Sequence, residues 1–402
     1  MSAIRGAHSR GAAPGDRRPR VLHLDHTSAA GGAELALVRM LQAGPEWSAV
    51  LQTPPLGPGP TVWDAVPDRV PRRAAGIPQP AGASSGGRLA SLAFGARLVV
   101  QALAVRTSAA FRGADLVDAN TARAAAYAAL AARASRIALV VHLRDLVDPE
   151  ALGGAGHAIM TRLVLPRADG VIANSRATLE LARPYLRDDA VAEVVPSASG
   201  LVVGAALPLD PDAPLRTVGM LARIDPWKGQ AQLLEAFARA FRGRDIRLQF
   251  AGGAPFGHEG ELAALRARAT ELGVGPQVDV LGHVDDVDRL LDEWEVAVQA
   301  SVRPEPLGQN VLQYLAAGRA VVAADEGGPA EWIDDGVNGL LVPPRDVDAL
   351  AAALTRLDQD PALRARLAAA AAETPGLLDD ADVTRAHLEV YRRVLAARGA
   401  TD

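Results

Sequence analysis

Short apolar runs and segments of helical spacing alternate along almost the whole sequence. "RVLHLD" (20–25) leads into "GGAELALVRML", "ADLVDAN" into "TARAAAYAALAARA", and "ADGVIANS" into "RATLELARPYL", with "IALVVHLRD" between them. A strand buried on both faces is apolar throughout, whereas a helix packed on a sheet is apolar along one stripe, so each pair reads as a βα unit. Parallel strands cannot be joined by tight hairpins. The repetition therefore predicts an α/β fold built on parallel sheet with helices on both faces. A second series opens after the proline-rich "ALPLDPDAPLR" (206–216), with "TVGMLA", "IRLQFAGG", "VDVLG", "VAVQAS" and "AVVAAD" as its strands. Two such series in 402 residues suit two domains, each with its own core, facing each other across a cleft. The expected division is a basic tail (1–19), an N-terminal domain (20–205), a C-terminal domain (206–380) and a final helix (381–402) packing across to the first domain. The glycine- and proline-rich stretch 53–87 reads as a long loop with at most one embedded strand.

Composition removes several classes of function. A net charge of −5 lacks the basic excess of a nucleic-acid binder. The absence of cysteine excludes disulfides and thiolate metal sites and fits a reducing, cytoplasmic setting. The first residues carry arginines but no apolar core of a signal peptide. "LASLAFGARLVVQALAV" (89–105) is interrupted by Arg97 and Gln101 and is shorter than the ~20 residues of a spanning helix. It reads as an amphipathic packing helix, with peripheral contact to a membrane as the sharper alternative.

Two stretches carry chemistry. Among 42 lysines and arginines only Lys228 is lysine, and "GMLARIDPWKG" puts Arg223 and Lys228 just past a strand, at the edge where open sheets bind ligands. Two cations there suit a diphosphate. "VRPEPLGQNVLQYLAAG" then sets Glu305 ahead of Gly308 and a short helix, whose first amides, at Gln309 and Asn310, and whose dipole favour an anion. A carboxylate repels phosphate but accepts from sugar hydroxyls, so a ligand with both groups fits. Gln313, a turn into the helix, offers hydroxyls a neutral amide.

At these residues the chain resembles the GT4 family of retaining glycosyltransferases, which have the GT-B fold of two facing Rossmann-like domains. "GMLARIDPWKG", "RPEPLGQNVLQYLAAG", "AADEGGPAEWIDDGVNGLLVPP" and "DVDAL" stand in family order, with weaker matches in "GGAELAL", "VVHLRD" and "VIANS". The resemblance implies transfer of a sugar from a nucleotide-diphosphate donor, UDP- or GDP-linked, to an acceptor it does not identify, without metal or cofactor. It implies that Arg223 and Lys228 neutralise the diphosphate beside Gly31 and Gly32, that His142 lies near the transferred sugar, and that Glu305 holds the sugar's hydroxyls. Gln313 stands where the family's second glutamate binds ribose, a departure that removes a charge. A sugar-nucleotide epimerase, a sugar phosphorylase and a nucleotide-binding partner protein without turnover share the fold and stay open.

Other features have plainer explanations. His23, His26, His157, His258 and His283 lack metal spacing and read as surface or packing residues. Asp286, Asp346 and Ser175 each precede a helix and read as N-caps. The Gly31–Gly32 pair lacks the full G-x-G-x-x-G of a nicotinamide site.

Overall fold

The computed structural model describes residues 18–29, 31–79, 88–254 and 259–399; most of the expected basic tail, the end of the 53–87 loop and His258 lie outside them. The first sheet consists of β1 (Arg20–Leu24), β2 (Ser48–Thr53), β3 (Arg72–Ala74), β4 (Leu116–Ala119), β5 (Ala138–Leu143), β6 (Gly170–Ala173) and β7 (Val191–Val194). Their order is β3-β2-β1-β4-β5-β6-β7, and β3 is the strand embedded in the long loop. The second sheet consists of β8 (Thr217–Leu221), β9 (Arg247–Ala251), β10 (Val278–Gly282), β11 (Val296–Gln299), β12 (Ala320–Ala324) and β13 (Leu340–Val342), in the order β10-β9-β8-β11-β12-β13. Every strand pairing in both sheets is parallel. The strands β4, β5, β6, β11 and β12 are buried at every residue, which is why they read as apolar runs broken only by Asp118, His142 and Gln299.

In each sheet the strand order reverses direction beside the first strand, between β1 and β4 and between β8 and β11. Loops leaving the carboxyl ends of such a pair diverge and open a crevice. Asp25 and Asn120 follow β1 and β4; Arg223 and the segment reaching Glu305 follow β8 and β11.

The helix Asp380–Gly399 buries Val383, Leu388, Val390, Tyr391 and Val394 against Val21, Leu116, Val140 and Ile172 of the first sheet. Arg398 fastens its end by donating to Asp169 Oδ2 at 2.6 Å and Ile137 O at 2.9 Å. The chain's last helix thus completes the first lobe's core. Polar contacts also join the lobes beside the cleft: the amides of Arg176 and Ala177 donate to the Glu331 carboxylate at 2.9 and 2.6 Å, and Thr178 Oγ1 donates to Pro306 O at 3.3 Å.

The helix Arg88–Thr107 packs Leu98, Ala102 and Val105 inward and leaves Val99, Val100 and Leu103 exposed. No helix among the described residues is long and apolar enough to cross a membrane. Asp286, Asp346 and Ser175 each accept from a backbone amide three residues on, at 3.1, 2.9 and 3.0 Å, as N-caps do.

Candidate active site

The second lobe's half is built around one buried carboxylate. Glu305 is 5% exposed, and its Oε2 lies 2.8 Å from Lys228 Nζ. Its Oε1 accepts from Gln299 Nε2 at 3.0 Å and from Ser301 Oγ. Burial opposes the charge, but Lys228 and these donors prevail and hold the Glu305 carboxyl below its ordinary range. Lys228 reaches it because the turn Pro226–Lys228 ends at Gly229, with φ of 84°, where a Cβ would lie 1.7 Å from Ala300 O. Only glycine lets that turn press against the exit of β11. The Lys228 ammonium also lies over the Trp227 ring, 4.1 Å from its centre. Arg223 is half-exposed, 3.9 Å from the Asp225 carboxylate.

Four residues past Glu305 the helix Gln309–Ala316 begins. Gly308 caps it at φ 74°, and a Cβ there would meet Pro329 Cγ at 2.6 Å. Asn310 turns its side chain inward, Oδ1 accepting from Val311 N at 3.0 Å, and Gln309 donates across the cleft to Ala198 O at 2.6 Å. These residues can therefore offer a ligand first-turn backbone amides rather than side chains. The Gln313 side chain is partly buried and has no hydrogen bond among the described residues.

The first lobe's half is a dense polar wall. Asp25 is fully buried, its Oδ1 accepting from the amides of His26 and Thr27 at 2.6 and 3.1 Å and its Oδ2 from Asn120 Nδ2 at 2.7 Å. Burial and the neighbouring Glu34 push the Asp25 carboxyl up to about 7. Burial likewise raises Glu34, whose Oε2 curls over Gly31 so that a Cβ there would lie 2.4 Å away. At Gly32 an added Cβ would meet nothing within 4 Å, so the protein's packing does not itself require glycine there. His26 is lowered to about 4, by burial and by Arg123. Ligand atoms of Asp25, His26 and Glu34 lie within 4.8 Å of one another, a spacing that could hold a metal ion, although both Asp25 oxygens are already hydrogen-bonded.

His142 is 3% exposed, with its ring inside this wall. Nε2 is 2.8 Å from Asp118 Oδ1, close but poorly aligned for a hydrogen bond, and Nδ1 is 3.2 Å from Arg144 Nη2. A guanidinium only donates, so Nδ1 is the acceptor and the ring proton sits on Nε2. Burial, against the pull of Asp118, holds His142 below its ordinary value and therefore neutral. On the far side of Asp118, His23 Nδ1 lies 2.7 Å from Oδ2, while its Nε2 accepts from Trp47 Nε1 at 3.0 Å. His387 of the final helix stacks on His142 at 5.1 Å.

Sequence reading singled out Lys228 and Glu305, which touch, and Gly308 to Gln313, which begin the adjoining helix. The resemblance implied Gly31 and Gly32 beside the diphosphate and His142 near the transferred sugar; Gly31 and Gly32 lie in the first lobe's wall, and the His142 ring is buried inside it. Sequence reading passed over Asp25, Asn120, Asp118 and Arg144. The available signal was three strands that end in polar residues, "HLD", "VDAN" and "HLRD".

The family described as glycosyl transferases group 1 matches residues 210–374, and glycosyltransferase family 4 matches residues 61–198. A lipopolysaccharide core biosynthesis glycosyltransferase of Rhizobium meliloti is 34% identical over 183 residues, 45% of this chain and 51% of that protein. A phosphatidyl-myo-inositol mannosyltransferase of Mycolicibacterium smegmatis is 31% identical over 233 residues, 55% of this chain and 57% of that protein. The matched region thus spans about half the length of these curated relatives. Anabaena Alr3699/HepE, solved with UDP, superposes with a TM-score of 0.76 at 25% identity over 92% of this chain and 99% of that one. The two-lobed architecture is the GT-B fold.

Proposed function

Since the chain belongs to the group 1 glycosyltransferases, we propose that it moves a sugar from a nucleotide-diphosphate donor to an acceptor hydroxyl, with retention at the anomeric carbon. The observation that carries this reading is the Lys228–Glu305 pair at 2.8 Å beside the start of the helix Gln309–Ala316, a cation and a hydroxyl acceptor next to free helix amides. In this reading Arg223, Lys228 and the first-turn amides stabilise the negative charge that grows on the leaving diphosphate, a task that needs no metal. Glu305, ionised, accepts from the donor sugar's hydroxyls with the lone pairs that Lys228, Gln299 and Ser301 leave open. The sugar becomes oxocarbenium-like, and the departing phosphate takes the acceptor's proton on the same face. Gln313 reaches the ribose as a neutral amide. A nucleotide-sugar donor gains support from Alr3699/HepE, solved with UDP-glucose.

The test is a thermal-shift screen of UDP- and GDP-sugars, followed by NMR of the product's anomeric proton. A ligand of the native state at 100 times its Kd stabilises by about 2.7 kcal/mol, an easily seen shift. A product of inverted configuration would exclude retention, and an unshifted midpoint with every nucleotide sugar would exclude the donor site.

A further inference from the structure

Arg144, the residue after β5, is a partly buried cation whose hydrogen bonds among the described residues go only to neutral groups. Its Nε and Nη2 donate to Asn120 Oδ1 at 3.0 and 2.9 Å, Nη1 donates to Ser197 Oγ at 3.2 Å, and Nη2 also faces His142 Nδ1 at 3.2 Å. Among the described residues no carboxylate forms an ion pair with it within 4.0 Å. Most arginines buried in protein have such a partner or cap carbonyls, because an unpaired charge out of water is costly. The cost is visible in burial pulling the Arg144 guanidinium below its ordinary range despite the fields of Asp118, Glu34 and Asp25.

Its position says what the charge is for. Arg144 holds Ser197, whose neighbour Ala198 accepts from Gln309, the first residue of the helix assigned to the diphosphate. Asn120, its other anchor, also donates to Ala33 O at 3.1 Å, in the first turn of the helix that follows Gly31. The guanidinium is thus fixed between the two glycine-started helices that face the cleft from opposite lobes. We propose that Arg144 is a further cation of the donor site, preorganised by Asn120, Ser197 and His142 to meet a phosphoryl oxyanion of the diphosphate. His142 is then a positioning residue: its unprotonated Nδ1 fixes one arm of the guanidinium. This inference rests on the donor-site reading above.

The experiment is calorimetry with inorganic pyrophosphate, whose binding does not depend on the donor's base, beside UDP, GDP and inorganic phosphate. Arg144→Gln should weaken pyrophosphate and nucleotide diphosphate binding by about 10- to 100-fold, the range for a charge-assisted hydrogen bond. Arg144→Lys, which keeps the charge without the fork, should fall between the two and covers the case in which the glutamine variant does not fold. Ligand-free Arg144→Gln should melt no lower than the unaltered protein, because the substitution removes an unpaired charge. His142→Asn, which keeps an acceptor near the place of Nδ1, should bind pyrophosphate better than His142→Ala.

Unchanged pyrophosphate affinity in Arg144→Gln, with a lowered melting point, would make the arginine structural and overturn the proposal. A loss confined to inorganic phosphate would assign the guanidinium to an acceptor phosphate, which also overturns it. Should the unaltered protein bind neither pyrophosphate nor either nucleotide, the donor-site reading itself fails, a result distinct from normal binding by the protein and Arg144→Gln alike.

Discussion

Lys228 and Glu305 depend on each other for stability as much as for chemistry. Lys228→Ala leaves a buried carboxylate with only Gln299 and Ser301 as partners, and breaking one side of such a pair costs about 3–5 kcal/mol. Lys228→Ala should therefore unfold at markedly lower urea, while Lys228→Ala combined with Glu305→Gln should recover most of the loss without recovering turnover. The sign with pH follows from the depressed Glu305 carboxyl: its stabilisation is present above the unfolded value, 4.5, and fades as pH falls through the lower folded value. Lys228→Ala should lack that fade. Equal urea midpoints for the single variant and the unaltered protein would show the pair to be solvated and loose. Each residue was legible alone, Lys228 as the lone lysine and Glu305 from its place before a helix. Their contact, across 77 positions of sequence, was not, because no local periodicity records it.

Elements were legible where one physical rule dominated. Strands buried on both faces left mostly apolar runs, interrupted by single polar residues such as Asp118 and His142, and capping residues marked helix starts. What escaped was polar: His23 and Asp118 are register partners on β1 and β4, so a histidine and a carboxylate inside apolar runs meet only once the sheet is assembled. Lobe closure escaped for the same reason. The helix Arg176–Ala182 has its own cap, Ser175, whose Oγ accepts from Thr178 N at 3.0 Å and donates to Thr178 Oγ1 at 2.9 Å, while Glu331 of the other lobe accepts from the amides of Arg176 and Ala177. Glu331→Ala should leave the helix folded and loosen the lobes. Amide exchange at Arg176 and Ala177 should quicken by roughly 5-fold, the equivalent of about 1 kcal/mol for a lost cap, with Thr178 unaffected. Equal exchange at all three amides would rule Glu331 out as a clasp.

For the whole molecule, the final helix ties stability to pH through the first lobe. His387 lies buried, its Nδ1 2.7 Å from Val383 O, and burial with the nearby His142 lowers it to about 3. A histidine kept neutral in the fold and free to charge when unfolded gives stability that is complete above its ordinary value of 6.5 and lost as pH falls toward 3. His26, lowered to about 4, acts in the same direction. Asp25, raised to about 7, acts in the opposite one: its contribution is present below 3.8 and lost as pH rises through 7. Between about 4 and 6.5 the two histidines outweigh the one aspartate, so these three groups together favour the fold most near neutrality. His387→Gln should remove one proton from this balance, about 1.4 kcal/mol per pH unit over that window. Urea titrations from pH 7 to 4.5 should then show a shallower decline in the variant than in the unaltered protein. Parallel declines would mean that His387 takes up its proton inside the fold, and that the final helix does not hold the lobe in a pH-dependent way.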